Sequence, residues 1–279
     1  MRLAILDGRV EFTHPCLANA HVMPVDLGGS RLQKSVSSMT HATAIASLLF
    51  SKGSGSVQGV GPNCTGLSAD IYSFDRSFVP HQCSETLLAY AINKSLEFKA
   101  DIINISAGFD MQSCNASSLL RTALNRCAEQ GTLVVASVSN TGSEINSIPA
   151  CLPGVLAVGS LDAQGAPSKF SSFHPAIAKR GILAPGEGLL CAAPGGAFAA
   201  RSGTSYAAAI VSGVASVLLS VARGYQTLLS AIQVGEMLVS TALACQDSEN
   251  GGRCLAGRLN IEAALRKIVA GERYGRGFV

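Results

Sequence analysis

The chain of 279 residues has no tryptophan, and aromatic side chains make up only 5% of it. That leaves little surface on which bases could stack, and the scattered lysines and arginines, with a net charge of +3, form no basic stripe. Nucleic acid is therefore excluded as the expected partner. The nine cysteines show neither a CxxC pair nor a Cys/His zinc spacing, and no acidic run suggests a calcium loop. No metal and no cofactor is expected. The opening "MRLAILDG" has four apolar residues in a row before an aspartate, too few for the apolar core of a signal peptide, so export by that route is not expected. The longest uncharged run is Ser202 to Ala222, and its glycines and hydroxyls suit a buried helix better than a membrane span.

What the chain does contain is globular in character. Nearly half of it is apolar, and 29 glycines supply turns between short apolar runs. Strands are expected at Leu3 to Leu6, Ala69 to Phe74, Ile102 to Ser106, Thr132 to Val138, Val155 to Gly159 and about Gly188 to Ala192. Helices are expected at His41 to Phe50, Glu85 to Lys99, Ser117 to Gln130, Ser205 to Ala222, Leu228 to Ala242 and Asn260 to Val269. The alternation predicts an α/β fold, a doubly wound and mostly parallel sheet with helices on both faces. Residues 1–270 read as one domain, and 271–279 as a frayed tail. Cys245 and Cys254 bracket the polar loop "QDSENGGR", which could close a short disulfide or, in a reducing compartment, hold two thiols.

In an open parallel sheet, ligands gather beyond the carboxyl ends of the strands, so polar residues that terminate apolar strands are candidates for chemistry. Asp7 ends "LAILD", His41 opens "HATAIASLL", Asn140 ends "TLVVASVSN", and Ser205 heads the long uncharged run. Each has a plain structural alternative: a turn aspartate, a surface histidine, a turn asparagine and a helix-packing serine. Together they fit one reaction. A serine hydroxyl attacks only when a base takes its proton, a neutral imidazole suits that task, and a carboxylate can fix its tautomer. An asparagine amide and a backbone N–H at a helix start would then stabilise the oxyanion. The order Asp, His, Ser is that of subtilisin among the serine hydrolase classes, and the G-x-S-x-G elbow of α/β-hydrolases is absent.

The blocks "AILDGRVEFTHP", "THATAIASLL", "INISAG", "VVASVSNTG" and "SGTSYAAAIVSGVAS" resemble, in order, those of subtilisin-like serine proteases. The resemblance implies Asp7 as orienting acid, His41 as general base, Ser205 as nucleophile and Asn140 as oxyanion donor. It also implies that Ser106, Ala107 and Gly108 pair with extended substrate backbone, and that Ser137, Val138 and Ser139 wall the pocket for the residue before the scissile bond. "GVGPNCTGL", "AVGSLDAQGAPSKFSSF", "GILAPGEGLLCAAPGG" and "CLAGRLNIEAAL" carry a narrower resemblance, to the proteases that mature cyanobactin-type ribosomal peptides of the patellamide-pathway group. That likeness implies a cytoplasmic endopeptidase, made without a folding propeptide, that removes a leader from a modified precursor peptide; the composition, read separately, leads to no expected nucleic-acid or membrane partner. The macrocyclases of such pathways carry a helical insertion between the Asp and His blocks, for which the 33 residues between Asp7 and His41 leave little room.

Four positions depart from the family pattern. Ala42 follows the histidine where glycine is usual, Ser139 precedes the asparagine in place of glycine, Ala107 stands in the substrate block, and Ala209 replaces a proline. An added Cβ next to the oxyanion site can misplace a donor if the backbone there needs a positive φ. The alternatives to hydrolysis are thus a catalytically impaired homologue that binds a peptide or protein, and a transpeptidase or macrocyclase.

Overall fold

The computed structural model describes residues 1–25, 27, 36–53, 56–72, 83–245 and 253–271. Its strands are β1 (Arg2–Asp7), β2 (Val22–Val25), β3 (Thr65–Asp70), β4 (Ile102–Ile105), β5 (Phe109–Met111), β6 (Leu133–Ser137), β7 (Asn146–Ile148), β8 (Val155–Leu161), β9 (Ile182–Pro185), β10 (Leu189–Ala193) and β11 (Ala197–Arg201). Its α-helices are α1 (Val36–Phe50), α2 (Glu85–Glu97), α3 (Ser118–Glu129), α4 (Thr204–Gly224), α5 (Ala231–Ser240) and α6 (Ile261–Val269).

Among the described residues the main sheet has seven strands in the order β2-β3-β1-β4-β6-β8-β9, and every neighbouring pair is parallel. Side-chain alternation divides β1 between two apolar layers. Leu3 and Ile5 join the layer made by α1, α4, α5 and α6, while Ala4 and Leu6 join that of α2 and α3. Burial on both faces is why these strands read as short continuous apolar runs. The expected fold class holds.

The differences from the sequence-based elements have local causes. The strand expected from Ala69 to Phe74 begins earlier, at Thr65, because β3 pairs with β1 from Arg2↔Thr65 to Asp7↔Asp70; Ser73 and Phe74 lie outside the described residues. Gly66 hides this strand in the sequence, yet a Cβ there would lie 2.8 Å from the Phe50 ring and from Val22. The run near Gly188 to Ala192 is a strand, but β10 pairs antiparallel with β11 outside the main sheet. The edge of the main sheet is instead β9, a four-residue strand. The pair β5–β7, also antiparallel, is too short to show alternation.

Helix α4 takes up most of the uncharged run and extends past it to Arg223 and Gly224. It is long and apolar enough to cross a membrane by length and composition alone, but 78% of its apolar window is buried inside the protein. Its small residues serve close packing: a Cβ at Gly213 would lie 2.6 Å from Val60 Cβ. The buried stripe runs through Ser205, Ala209, Ser212 and Ser216 and stops short of the exposed Ser220. Cys245 and Cys254 form a disulfide, and so do Cys114 and Cys151, a pair the sequence did not single out. Residues 272–279 of the expected tail lie outside the described residues.

Candidate active site

The parallel order turns at β1, which has β3 on one side and β4 on the other. A crevice opens at such a point beyond the carboxyl ends of the strands. Asp7 is the last residue of β1 and is fully buried. Gly8 follows it, and a Cβ there would sit 2.5 Å from the Ser38 carbonyl oxygen. The missing side chain thus lets the first turn of α1 close over the end of β1, which brings His41 to Asp7. His41 Nδ1–H donates to Asp7 Oδ1 at 2.9 Å, and Gly8 N–H donates to the same oxygen at 2.6 Å. The other oxygen, Asp7 Oδ2, is buried with no partner among the described residues.

This bond fixes a tautomer: with Nδ1 carrying the proton, neutral His41 presents Nε2 as a lone-pair base. Burial is the strongest influence on the imidazole and disfavours its charged form. The Asp7 charge and hydrogen bond together exceed it, Arg201 opposes them, and the net result holds the His41 pKa above its ordinary value. The Tyr206 ring lies against the imidazole with centroids 5.5 Å apart, and the His41 side chain remains 27% exposed to whatever enters the crevice.

Ser205 lies in the first turn of α4, buried but for 7% of its surface. Its hydroxyl makes a long 3.5 Å bond to the Ser106 carbonyl; among the described residues none joins it to His41. Catalytic hydrogen bonds are often loose before substrate binds. A buried chain holds the serine's backbone in place: Ser212 Oγ donates to Asn104 Oδ1 at 2.9 Å, Asn104 Nδ2 to Ser106 Oγ at 2.9 Å, and Ser106 Oγ to the Ser205 carbonyl at 3.4 Å. Helix α4 is thereby tied to the end of β4.

Asn140 follows β6 on an exposed turn. Its Oδ1 accepts from Thr204 N–H at 2.8 Å and from Thr204 Oγ1 at 3.1 Å, which orients the carboxamide and leaves its NH2 group facing the head of α4. A Cβ at Gly203 would come within 3.6 Å of that nitrogen. Gly203 gives α4 no side-chain cap, and among the described residues the Ser205 N–H has no acceptor. The Asn140 NH2 group and the Ser205 N–H thus both lie at the head of α4, the positive end of a helix dipole, where negative charge is favoured.

The expected substrate residues divide by exposure. Gly108 is exposed and Ala107 buried, and among the described residues neither makes a backbone hydrogen bond, which leaves this stretch an unpaired edge. Ser137 and Val138 are buried beneath the Asn140 turn, and Ser139 is half-buried. Of the four departures, Ala42 and Ala209 sit buried inside regular helices and Ala107 is buried without a positive φ. Only Ser139 has the conformation that penalises a Cβ, at φ 83°.

Sequence reasoning missed Thr204, Tyr206, Arg201 and the Asn104–Ser212 pair. The positions of Thr204 and Tyr206 on either side of Ser205 are a usable signal; the others depend on contacts distant in the chain. Burial pushes the Cys83, Cys127 and Cys191 thiols up to about 12, so these three offer no alternative nucleophile.

A carboxylate bonded to an imidazole, a serine at a helix head and an asparagine amide beside it, set at the turning point of a parallel sheet, match the residue set and chain order of serine hydrolases with the Asp, His, Ser order. The family model "Peptidase_S8: Subtilase family" matches residues 1–270, and the chain belongs to the subtilase family. Among curated relatives, the "Thermophilic serine proteinase" of Bacillus sp. (strain AK1) is 29% identical over 243 residues, which are 83% of this chain and 55% of that protein. The chain thus spans little more than half the length of that relative. Among solved structures, the "Patellamide maturation protease PatA" is 38% identical with a TM-score of 0.88, covering 98% of both chains. The "PatG macrocyclase in complex with peptide" is 26% identical with a TM-score of 0.88, covering 98% of this chain and 92% of that one.

Proposed function

We propose that the protein is a serine endopeptidase acting from residues 1–270 as one peptidase domain, and that it removes a leader or recognition segment from a ribosomally made precursor peptide. In this reading Ser205 Oγ attacks the scissile carbonyl while His41 Nε2 takes its proton, and Asp7 holds the imidazolium that forms. Asn140 Nδ2 and Ser205 N–H hold the oxyanion. Collapse of the tetrahedral intermediate breaks the C–N bond as His41 returns the proton to the leaving amine, and water, activated by His41, then hydrolyses the acyl-enzyme. The peptide lies along Ser106 to Gly108, with Ser137 to Ser139 beside its P1 residue. The 2.9 Å bond between His41 and Asp7 carries the reading, because a serine without a tautomer-fixed base is not a nucleophile.

The macrocyclase alternative is supported by the likeness to PatG. It differs in one step, since the acyl-enzyme is then resolved by the amine of the peptide itself rather than by water. Mass spectrometry of a precursor peptide incubated with the protein separates the outcomes. Hydrolysis yields two linear products whose masses sum to the precursor plus one water. Macrocyclisation yields a core lacking that water, and an unchanged precursor refutes both and leaves a binding module.

A cytoplasmic location rests on the likeness to the cyanobactin proteases. Disulfides are rare in a reducing cytosol, so a cytoplasmic protein would carry Cys114, Cys151, Cys245 and Cys254 as thiols, and alkylation in fresh lysate decides the matter. A peptide rather than a nucleic acid or a membrane is the expected partner, given the scattered charge and the absence of tryptophan.

A further inference from the structure

Ser139 occupies a left-handed backbone position, φ 83°, one residue before Asn140. Glycine adopts that conformation freely; a serine pays for its Cβ and stays only where the surroundings hold it. Three hydrogen bonds do so. Its carbonyl accepts from Ser172 N–H at 3.3 Å and shares the Thr204 hydroxyl proton, also at 3.3 Å, with Asn140 Oδ1. Its own hydroxyl donates to Asp110 Oδ2 at 3.0 Å. Asp110 lies in the middle of β5, opposite Ser147 of β7 and two residues beyond Gly108 of the open edge. The side chain that makes the backbone unfavourable is therefore also the one that fastens it.

We propose that Asp110 is a positioning residue for the oxyanion site. Its carboxylate pins the Ser139 hydroxyl, which keeps the turn in its left-handed form and the Asn140 carboxamide aimed at the carbonyl under attack. The proposal rests on the reading of Asn140 as an oxyanion donor. It accounts for serine where the family pattern has glycine: the cost of the Cβ is offset by a tie between the peptide-binding edge and the oxyanion turn. A glycine there would need no tie, so the function of Asp110 exists only while residue 139 carries a side chain. That dependence separates Asp110 from a residue that touches the peptide directly, whose effect would not depend on Ser139.

The test is a mutant cycle read on a succinyl tetrapeptide p-nitroanilide ending in alanine. Asp110→Ala and Ser139→Ala are each expected to lower kcat roughly three- to tenfold, the range a single exposed hydrogen bond supports, with little change in KM. Combining them should cost no more than either alone. Asp110→Asn, which keeps an acceptor oxygen, should recover most of the loss. In the Ser139→Gly background, Asp110→Ala should no longer matter. An equal loss in that background, a loss confined to KM, or an unchanged kcat for Asp110→Ala would overturn the proposal. A crystal structure of Asp110→Ala reads the same point without catalysis: Asn140 displaced while the Asp7–His41 bond stays intact is expected, and an unmoved Asn140 overturns it. A wild type with no activity at all would instead refute the hydrolase reading, and the structure would still decide the role of Asp110.

Discussion

Asp7→Asn removes one charge from the buried end of β1 and changes almost nothing in shape. Asp7 Oδ1 accepts from His41 and from Gly8, and Asp7 Oδ2 has no partner among the described residues, so the carboxylate's stabilising influence is directed mainly at the imidazole. In the proposed mechanism His41 becomes an imidazolium beside that carboxylate in the transition state. Two unit charges about 4 Å apart attract by about 4 kcal/mol at an effective dielectric near 20. At about 1.4 kcal/mol per decade this is close to a thousandfold in rate. An asparagine amide also favours the wrong imidazole tautomer, and the corresponding change in a chymotrypsin-type triad costs about 10⁴ in kcat. A loss of 10³–10⁴ in kcat is therefore expected. The pH profile should move as well. In the wild type the Asp7 charge raises the His41 pKa, so activity, which needs neutral imidazole, should rise with pH along a limb above the ordinary value of about 6.5. Without that charge, burial and Arg201 both act to lower it, and the limb should fall below about 6.5. The assay is kcat/KM against pH, with a thermal melt to establish that the variant is folded. A loss below about tenfold, or a limb that stays in place or moves upward, would refute the reasoning.

Three further outcomes follow from the same geometry. Arg201→Gln removes a charge that lowers the His41 pKa, so the acid limb of the rate profile should shift to higher pH, the opposite of Asp7→Asn. Asn140→Ala should reduce kcat by about 10²–10³ with KM nearly unchanged, as loss of an oxyanion donor does in subtilisin, and a loss confined to KM would contradict the role given to it. Ser212→Ala leaves the buried Asn104 Oδ1 without its donor and should destabilise the protein by about 1–3 kcal/mol, read as a lower urea midpoint at unchanged m-value.

The parts of the site that were legible in the sequence are those set by strand ends and helix starts. Asp7, Asn140 and Ser205 each terminate or begin an apolar run, and His41 lies on a helix that Gly8 allows to approach β1. Their chemistry is a matter of residue type, and their convergence follows from parallel topology. What could not be read depends on contacts distant in sequence. Asp110 lies in a three-residue strand with no periodicity, and its pairing with Ser139 spans 29 positions. The Asn104–Ser212 bond spans 108 positions and joins two residues that look like ordinary polar interruptions of apolar runs. The strand β9 was missed because four residues between glycines resemble a loop, whereas β10 had a strand's composition but paired outside the main sheet. The concern raised by the four departures narrows to Ser139, the one among them with a positive φ.

The central claim, that Ser205 is a nucleophile activated by His41, is tested most directly by intact-mass spectrometry after incubation with a fluorophosphonate. The wild type should gain one adduct, mapped to Ser205 by peptide fragmentation and lost in Ser205→Ala, and labelling should be strongly slowed in His41→Ala. A folded wild type that gains no adduct, or an adduct that persists in Ser205→Ala, would contradict the account.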